Sequence, residues 1–244
     1  MLHAMLRAAA GRGSYPGTVL ADNPVAYWRL GEASGTTAVD EVGSNDGTYI
    51  NSPTLGVTGA IAGDTDTAVD FDGSNEYVTA GDVLDPGLTD RTLEAWFKIA
   101  SLPSSVAFVM SKAYAGGGAG RYTAGRIDPT TGICSARLEV SGSYVVVGSS
   151  ASVVDGEWHH LVAVFDRSAN LDLYLDGVLE ASGDISAASA TDFDTTWPFL
   201  IAAYADSDGV TPAYFFPGTI DEVAVYDTAL SPARIEAHYN AGTT

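Results

Sequence analysis

The sequence predicts an all-β chain: an antiparallel two-sheet β-sandwich with a short N-terminal arm and a short C-terminal helix. Three observations predict it. Short apolar runs recur down the chain, separated by Gly, Pro, Asp and Asn turn clusters at sandwich-like spacing. In the segment NLDLYLD, Leu171, Leu173 and Leu175 alternate with Asp172, Tyr174 and Asp176, the period of a strand with one face in a core. Glycine is abundant at 27 residues, and Asp outnumbers Glu by 22 to 9, a balance that favours turns over helices.

Leu2, Met5, Leu6 and Ala9 fall on one face of a short helix that Gly11 and Gly13 would stop. Too short to be stable alone, it needs a surface to dock on, and residues 1–20 are read as this arm plus a linker at Ser14 to Gly17. The body, residues 21–244, opens with the strand-like Val25 to Leu30 and a turn-rich loop, Gly31 to Asn45. Residues 67–81 read as strand, Asp72-Gly73 turn, strand; 92–100 and 106–112 are two further strands, split by Leu102-Pro103. A glycine-rich loop, Ala115 to Gly118, leads to RYTAGRI, CSARLEV and YVVVGS. Then come the apolar 161–165 run and a hairpin turning at Asp176-Gly177. PFLIAAY, an aromatic loop and TIDEVAVYD precede the final helix, where Ser231 is the N-cap and Pro232 the first helical residue.

A net charge of −20 argues against nucleic-acid binding and against attraction to anionic membranes. The charge is uneven: the first 21 residues hold no Asp or Glu but do hold Arg7 and Arg12, which marks the N-terminus as a separate element. Cys134 is alone, so it forms no intrachain disulfide, and it reads as a buried thiol in a strand. No segment approaches the run of about 20 apolar residues that spans a membrane, so no membrane insertion is expected. The N-terminal apolar run, interrupted by His3 and Arg7, lacks the pattern of a signal peptide.

Five ordered segments carry a resemblance. PVAYWRLGE with SGTTAVDEVGSNDGTY, AVDFDGSNEYV, TLEAWFKI, EWHHLVAVFDRSANLDLYLDG and GTIDEVAVYDTALSPARIEAHY together resemble the motif series of laminin-G-like (concanavalin A-like) jelly-roll domains, from about residue 21 to the end. The resemblance implies a jelly roll that binds sugars or proteins rather than catalysing a reaction. The opening ADNPVAYWRLGE is also similar to the starts of such domains in tailed-phage tail and capsid-surface proteins. That similarity implies a virion location, with an extracellular or cell-surface setting as the alternative.

The residues agree with a non-enzyme. The E-x-D-x-x-E carboxylate set of glycosidases on related sandwiches is absent from the sequence. Asp221 and Glu222 are adjacent, so on a regular strand they point to opposite faces. His159 and His160 likewise diverge, and no zinc-ligand spacing occurs. For calcium, the oxygen-rich segment Asp40 to Gly47 is the candidate. The resemblance implies that the first loop approaches the last strand, giving Asp40 and Asp221 as carboxylate ligands with Asn45 and main-chain oxygens completing a structural site. Asp72 is a second candidate. The alternative for the same segment is an Asx-turn loop satisfied by its own backbone.

Ligand contact needs exposed rings for the flat apolar faces of sugars, with amides and carboxylates for hydroxyls. Loop positions supply Tyr114, Tyr122, Trp197, Tyr204, Asp206 and Tyr214. Trp28, Trp96, Trp158, Phe71, Phe97 and Phe165 lie in strand patterns and are expected in the core. The AYFFPG loop is expected to cover a sandwich edge or meet another subunit. Two functions follow as expectations. One is an adhesion module recognising cell-surface glycan. The other is a structural capsid or tail component held to other virion proteins by Leu2, Met5 and Leu6, as a homo-oligomer without a specific sugar. Anionic glycans are expected to be poor ligands unless a cation or local basic residues such as Arg121 and Arg126 intervene.

Overall fold

A computed structural model describes residues 14–113, 115, 121–140 and 142–244. Leu2, Met5, Leu6 and Tyr114 lie outside the described residues. Period-2 segments pair into two antiparallel sheets. The first runs, edge to edge, through Val178–Asp184, Asn170–Leu175, Trp158–Phe165, Arg91–Lys98, Pro217–Tyr226, Thr67–Asp72 and Thr54–Thr58, with Ala26–Trp28 also paired to Pro217–Tyr226. The second runs through Ser143–Ser152, Ile133–Val140, Tyr122–Ile127, Ala107–Lys112, Phe199–Ile201, Tyr77–Gly81, Gly47–Ile50 and Thr37–Ala38. A small ribbon pairs Tyr204–Ala205 with Pro212–Ala213. The result is the all-β sandwich with short flanking helices that the patterning predicts.

The inner faces meet in one apolar core. Trp28 stacks on Phe199 with ring centres 5.6 Å apart, and Leu161, Leu171, Leu173, Ile220 and Val223 fill the space beside them. Cys134 is buried there, its thiol pushed up to about 12 by burial. The Asp176-Gly177 turn has both residues at positive φ (51° and 76°), the geometry of a two-residue type I′ hairpin. Of the expected core rings Trp158 alone departs: it is half-buried, and Lys98 sits 4.9 Å above its centre.

The outer faces differ. On the first sheet lie two helices, Tyr15–Ala21 and Pro232–Thr243, packed against Trp96, Val162, Val164, Tyr174 and Tyr226. The second follows Ser231-Pro232 as the sequence predicts. The first corrects the linker reading of Ser14 to Gly17: Ser14 Oγ accepts a hydrogen bond from the Gly17 amide, and Pro16 sits in the opening turn. Tyr15 and Val19 are buried, so this helix belongs to the folded body. The outer face of the second sheet carries no helix among the described residues.

Candidate functional site

The helix-free face is built by four strands and the ribbon. Along Ile133–Val140, Cys134, Ala136 and Leu138 point into the core, so Ser135, Arg137 and Glu139 point outward. Register then fixes their neighbours: Arg137 lies between Val146 and Thr123, Glu139 beside Tyr144, and Ser135 beside Arg126, itself paired with Phe108. Gly125, at φ 77°, makes the bulge that turns Arg126 outward while Ala124 and Ile127 stay in the core. A Cβ there would strike Val109 and Leu161, so only glycine fits.

Four rings and three guanidinium groups converge on this face. Phe108 stacks on Tyr204 at 4.4 Å, and Tyr214 meets both edge-on at 6.3 and 5.9 Å. The Arg137 guanidinium carbon lies 5.2, 5.0 and 5.0 Å from the ring centres of Phe108, Tyr144 and Tyr204. Arg121 is ion-paired with Glu139 and lies 4.9 Å over Tyr144. The half-buried Arg137 side chain makes no ion pair or hydrogen bond among the described residues; rings are what it touches. Burial first, and then the positive charges of Arg126 and Arg121, lower its affinity for its proton, although it stays charged. Beside it the buried Thr123 hydroxyl has no hydrogen-bond partner. Tyr144 is 43% exposed and Val146 56%. Chemically, the face offers ring surfaces for apolar ring faces and unspent N–H donors for oxygen acceptors.

The sequence-predicted ligand residues divide. Tyr204 and Tyr214 are at the site, but Tyr204 is 2% exposed and forms the bed under Arg137 rather than a free stacking platform. Tyr122 is corrected: it lies in the core, 2% exposed, with its hydroxyl donating to the Leu84 carbonyl. Trp197 is half-buried, and its carbonyl accepts from Lys112 Nζ at 2.8 Å. Asp206 is exposed and caps its own turn, accepting from the Ser207 amide at 2.7 Å. The AYFFPG loop covers the sandwich: Phe216 is buried edge-on against Phe97, and Phe215 packs on Tyr77. Arg137, Phe108 and Tyr144 were not singled out by the sequence reading. The alternation in CSARLEV does place Arg137 outward, and that signal could have found it.

Of the implied calcium ligands, Asp40 and Asn45 bond one another in the first loop, and Asp221 lies on Pro217–Tyr226. Asp40 is buried, and its two oxygens accept four hydrogen bonds: from the Tyr27 and Val42 amides at 2.9 and 3.2 Å, and from the Asn45 amide and side chain at 3.1 and 3.3 Å. That is the hydrogen bonding of an Asx-type loop. Asp72 likewise accepts from Ser74 and Asn75 amides in its turn. Asp221 accepts from the Ala60 amide through one oxygen, while the other, buried, has no partner. Among the described residues no three His, Cys, Asp or Glu side chains converge as a ligand set.

The other outer face holds buried charges that are paired with one another, with His160 Nδ1 and one Asp221 oxygen left without a hydrogen-bond partner among the described residues. Glu94 is fully buried beneath the helices. It accepts from the Tyr15 and Tyr226 hydroxyls at 2.9 and 2.7 Å and pairs with His160 Nε2 at 2.8 Å and His238 Nδ1 at 2.9 Å. The other His238 nitrogen meets Asp22 at 2.7 Å, and Arg234 meets the same carboxylate at 2.8 Å. Both His238 ring nitrogens face carboxylates, which favours the imidazolium and raises its pKa above the ordinary value against the cost of burial. A bulge at Glu222 (φ 53°) breaks strand alternation and corrects the expectation that Asp221 and Glu222 diverge. Glu222 joins Tyr27 and Arg29 on the outer side with Asp221, and burial followed by the pull of Arg29 and Tyr27 leaves its carboxyl raised to about 7. At 1% and 3% exposure neither carboxylate can reach a substrate.

A search of curated protein sequences returns no match. Among solved structures, domain 4 of AbnA, an extracellular arabinanase from Geobacillus stearothermophilus, solved with arabinotriose, is similar at 19% identity and TM-score 0.59, over 88% of this chain and 98% of that one. The binding domain of botulinum neurotoxin serotype D is similar at 12% identity and TM-score 0.66, over 91% of this chain; the chain spans about half (52%) of that domain's length. A Trypanosoma rangeli sialidase solved with sialic acid is similar at 18% identity and TM-score 0.61, over 88% of this chain and 32% of that one. A family model described as the concanavalin A-like lectin/glucanases superfamily matches residues 72–236, well over half of the sequence, and the chain belongs to that family.

Proposed function

We propose that this protein is a non-catalytic binding module whose ligand is a saccharide, held on the outer face of the second sheet by Arg137, Tyr144, Tyr214 and the Phe108–Tyr204 stack. The observation that carries the reading is a half-buried arginine surrounded by rings, on a face where the described residues supply neither a covering helix nor an acceptor for its side chain. Rings stack on the apolar faces of sugars, and guanidinium donors match their oxygens. The arabinotriose complex of the arabinanase domain supports a saccharide over a peptide as ligand. On a virion, the setting implied by the opening motif, many copies would strengthen weak single contacts.

Affinity electrophoresis through gels cast with soluble polysaccharides tests this. The wild-type chain should be retarded by at least one polysaccharide, and Tyr144→Ala should migrate freely while remaining folded by circular dichroism. Equal retardation of the two would place the site elsewhere.

A further inference from the structure

Resting on that saccharide reading, we propose that the ligand carries a carboxylate, as uronic and sialic acids do, and that Arg137 is the residue that holds it. Of 11 Lys and Arg residues in a chain of 31 Asp and Glu, three, Arg121, Arg126 and Arg137, are gathered on this one face. The neighbouring acid, Glu139, is taken by Arg121. Elsewhere three arginines are spent on internal acceptors, while the buried Arg91 has an Nε without a hydrogen-bond partner among the described residues. Arg29 meets Glu222, Asp64 and Asp66, Arg234 meets Asp22, and Arg167 donates to the carbonyls of Gly87, Ala188 and Thr191. Arg137 has lost part of its water to Phe108, Tyr144 and Tyr204 and has gained no anion in return among the described residues. Desolvating a cation without a partner is costly, and an incoming carboxylate recovers that cost.

The geometry favours a planar anion on a sugar ring. A guanidinium stacked on rings keeps its N–H edges available, and its fork matches a carboxylate through two parallel hydrogen bonds. The flanking Tyr144 and Tyr214 rings suit the adjoining sugar. The protein's overall charge of −20 repels extended polyanions, and that repulsion is screened beyond about 8 Å at physiological salt. An isolated carboxylate therefore fits better than a polysulfated chain. This revises the expectation that anionic glycans are poor ligands: the basic residues that would have to intervene are gathered here, with Arg137 at their centre.

The test is a glycan array of matched pairs, each neutral saccharide beside its uronic-acid or sialylated counterpart, with phosphorylated and sulfated glycans included, probed with the full chain at physiological ionic strength. Binding to a carboxylated member about tenfold or more above its neutral partner is expected, from the strength of a charged hydrogen-bonded pair. Arg137→Gln should bring the pair to parity, and Arg137→Lys, which keeps the charge but loses the fork, should retain only part of the preference. Equal binding to both members would overturn the carboxylate and leave the saccharide reading standing. A preference that survives Arg137→Gln, or one for phosphate or sulfate over carboxylate, would overturn the assignment. No binding to any glycan by folded protein would overturn both readings.

Discussion

The two outer faces of this sandwich both carry charge, and they use it in opposite ways. Under the helices, buried Glu94 accepts from Tyr15 and Tyr226 and pairs with His160 and His238, and His238 also meets Asp22. On the other face the Arg137 side chain is set among rings, with no acceptor among the described residues. A closed network of charges fixes two helices to a sheet; an open one leaves interaction capacity for something outside the molecule. The same residue types would look alike in composition, so the difference lies in whether the acceptors were supplied from within.

If that contrast is right, damage to the covered face should unfold the protein and damage to the open face should silence it. The largest expected effect is Glu94→Ala, which strands His238 and two buried hydroxyls and should cost about 3–5 kcal/mol by urea denaturation. A loss under about 1 kcal/mol would mean that the helices are held by apolar packing alone. Next is Asp40→Ala, which leaves three backbone amides and the Asn45 side chain without their acceptor and should cost about 2–4 kcal/mol. The loss should be equal in calcium and in chelator; a loss seen only in calcium would restore Asp40 as a metal ligand.

The covered face should also give the protein its pH dependence. Burial alone would lower the His238 pKa, but Glu94 and Asp22 raise it above its ordinary 6.5. Its contribution is therefore full below 6.5 and lost as pH rises through the raised folded value. Glu94 is buried too, yet His238 and His160 hold it below its ordinary 4.5, so its contribution is present above 4.5 and lost as pH falls through the lowered value. Glu222 runs the other way for a carboxylate. Its folded value of about 7 exceeds the ordinary 4.5, so the folded state holds the extra proton and stability falls as pH rises between them. Thermal melts should peak near pH 5 and decline toward pH 8, and Glu222→Gln should flatten the stretch from 5 to 7. A melting temperature that climbs over that stretch in the wild type would contradict this. The smallest stability effect belongs to the open face: Tyr144→Ala should shift unfolding by no more than about 0.5 kcal/mol while abolishing saccharide binding.

Much of this fold was legible locally. The NLDLYLD alternation, the Asp176-Gly177 turn and the Ser231-Pro232 helix start each encode their geometry within a few residues. The Ser14 cap and Pro16 carried the same kind of signal, but a short helix between an arm and a body reads equally as a linker. The bulge at Glu222 was not legible, because its extra residue carries no glycine or proline to mark it. The site was legible least. Phe108, Arg137, Tyr144 and Tyr204 come from four separate segments, and pairing register brings them together. Loop position suggested accessible tyrosines, yet Tyr122 went to the core and Tyr204 under Arg137.

Hydrogen–deuterium exchange of the full chain, with and without the best array saccharide, tests the central claim most directly. Ligand-dependent protection is expected only in Ala107–Lys112, Tyr122–Ile127, Ile133–Val140, Ser143–Ser152 and residues 204–214, with Tyr15–Ala21 and Pro232–Thr243 unchanged. Protection of the two helices, or of the Asp40 loop, with the open face unaffected would contradict it.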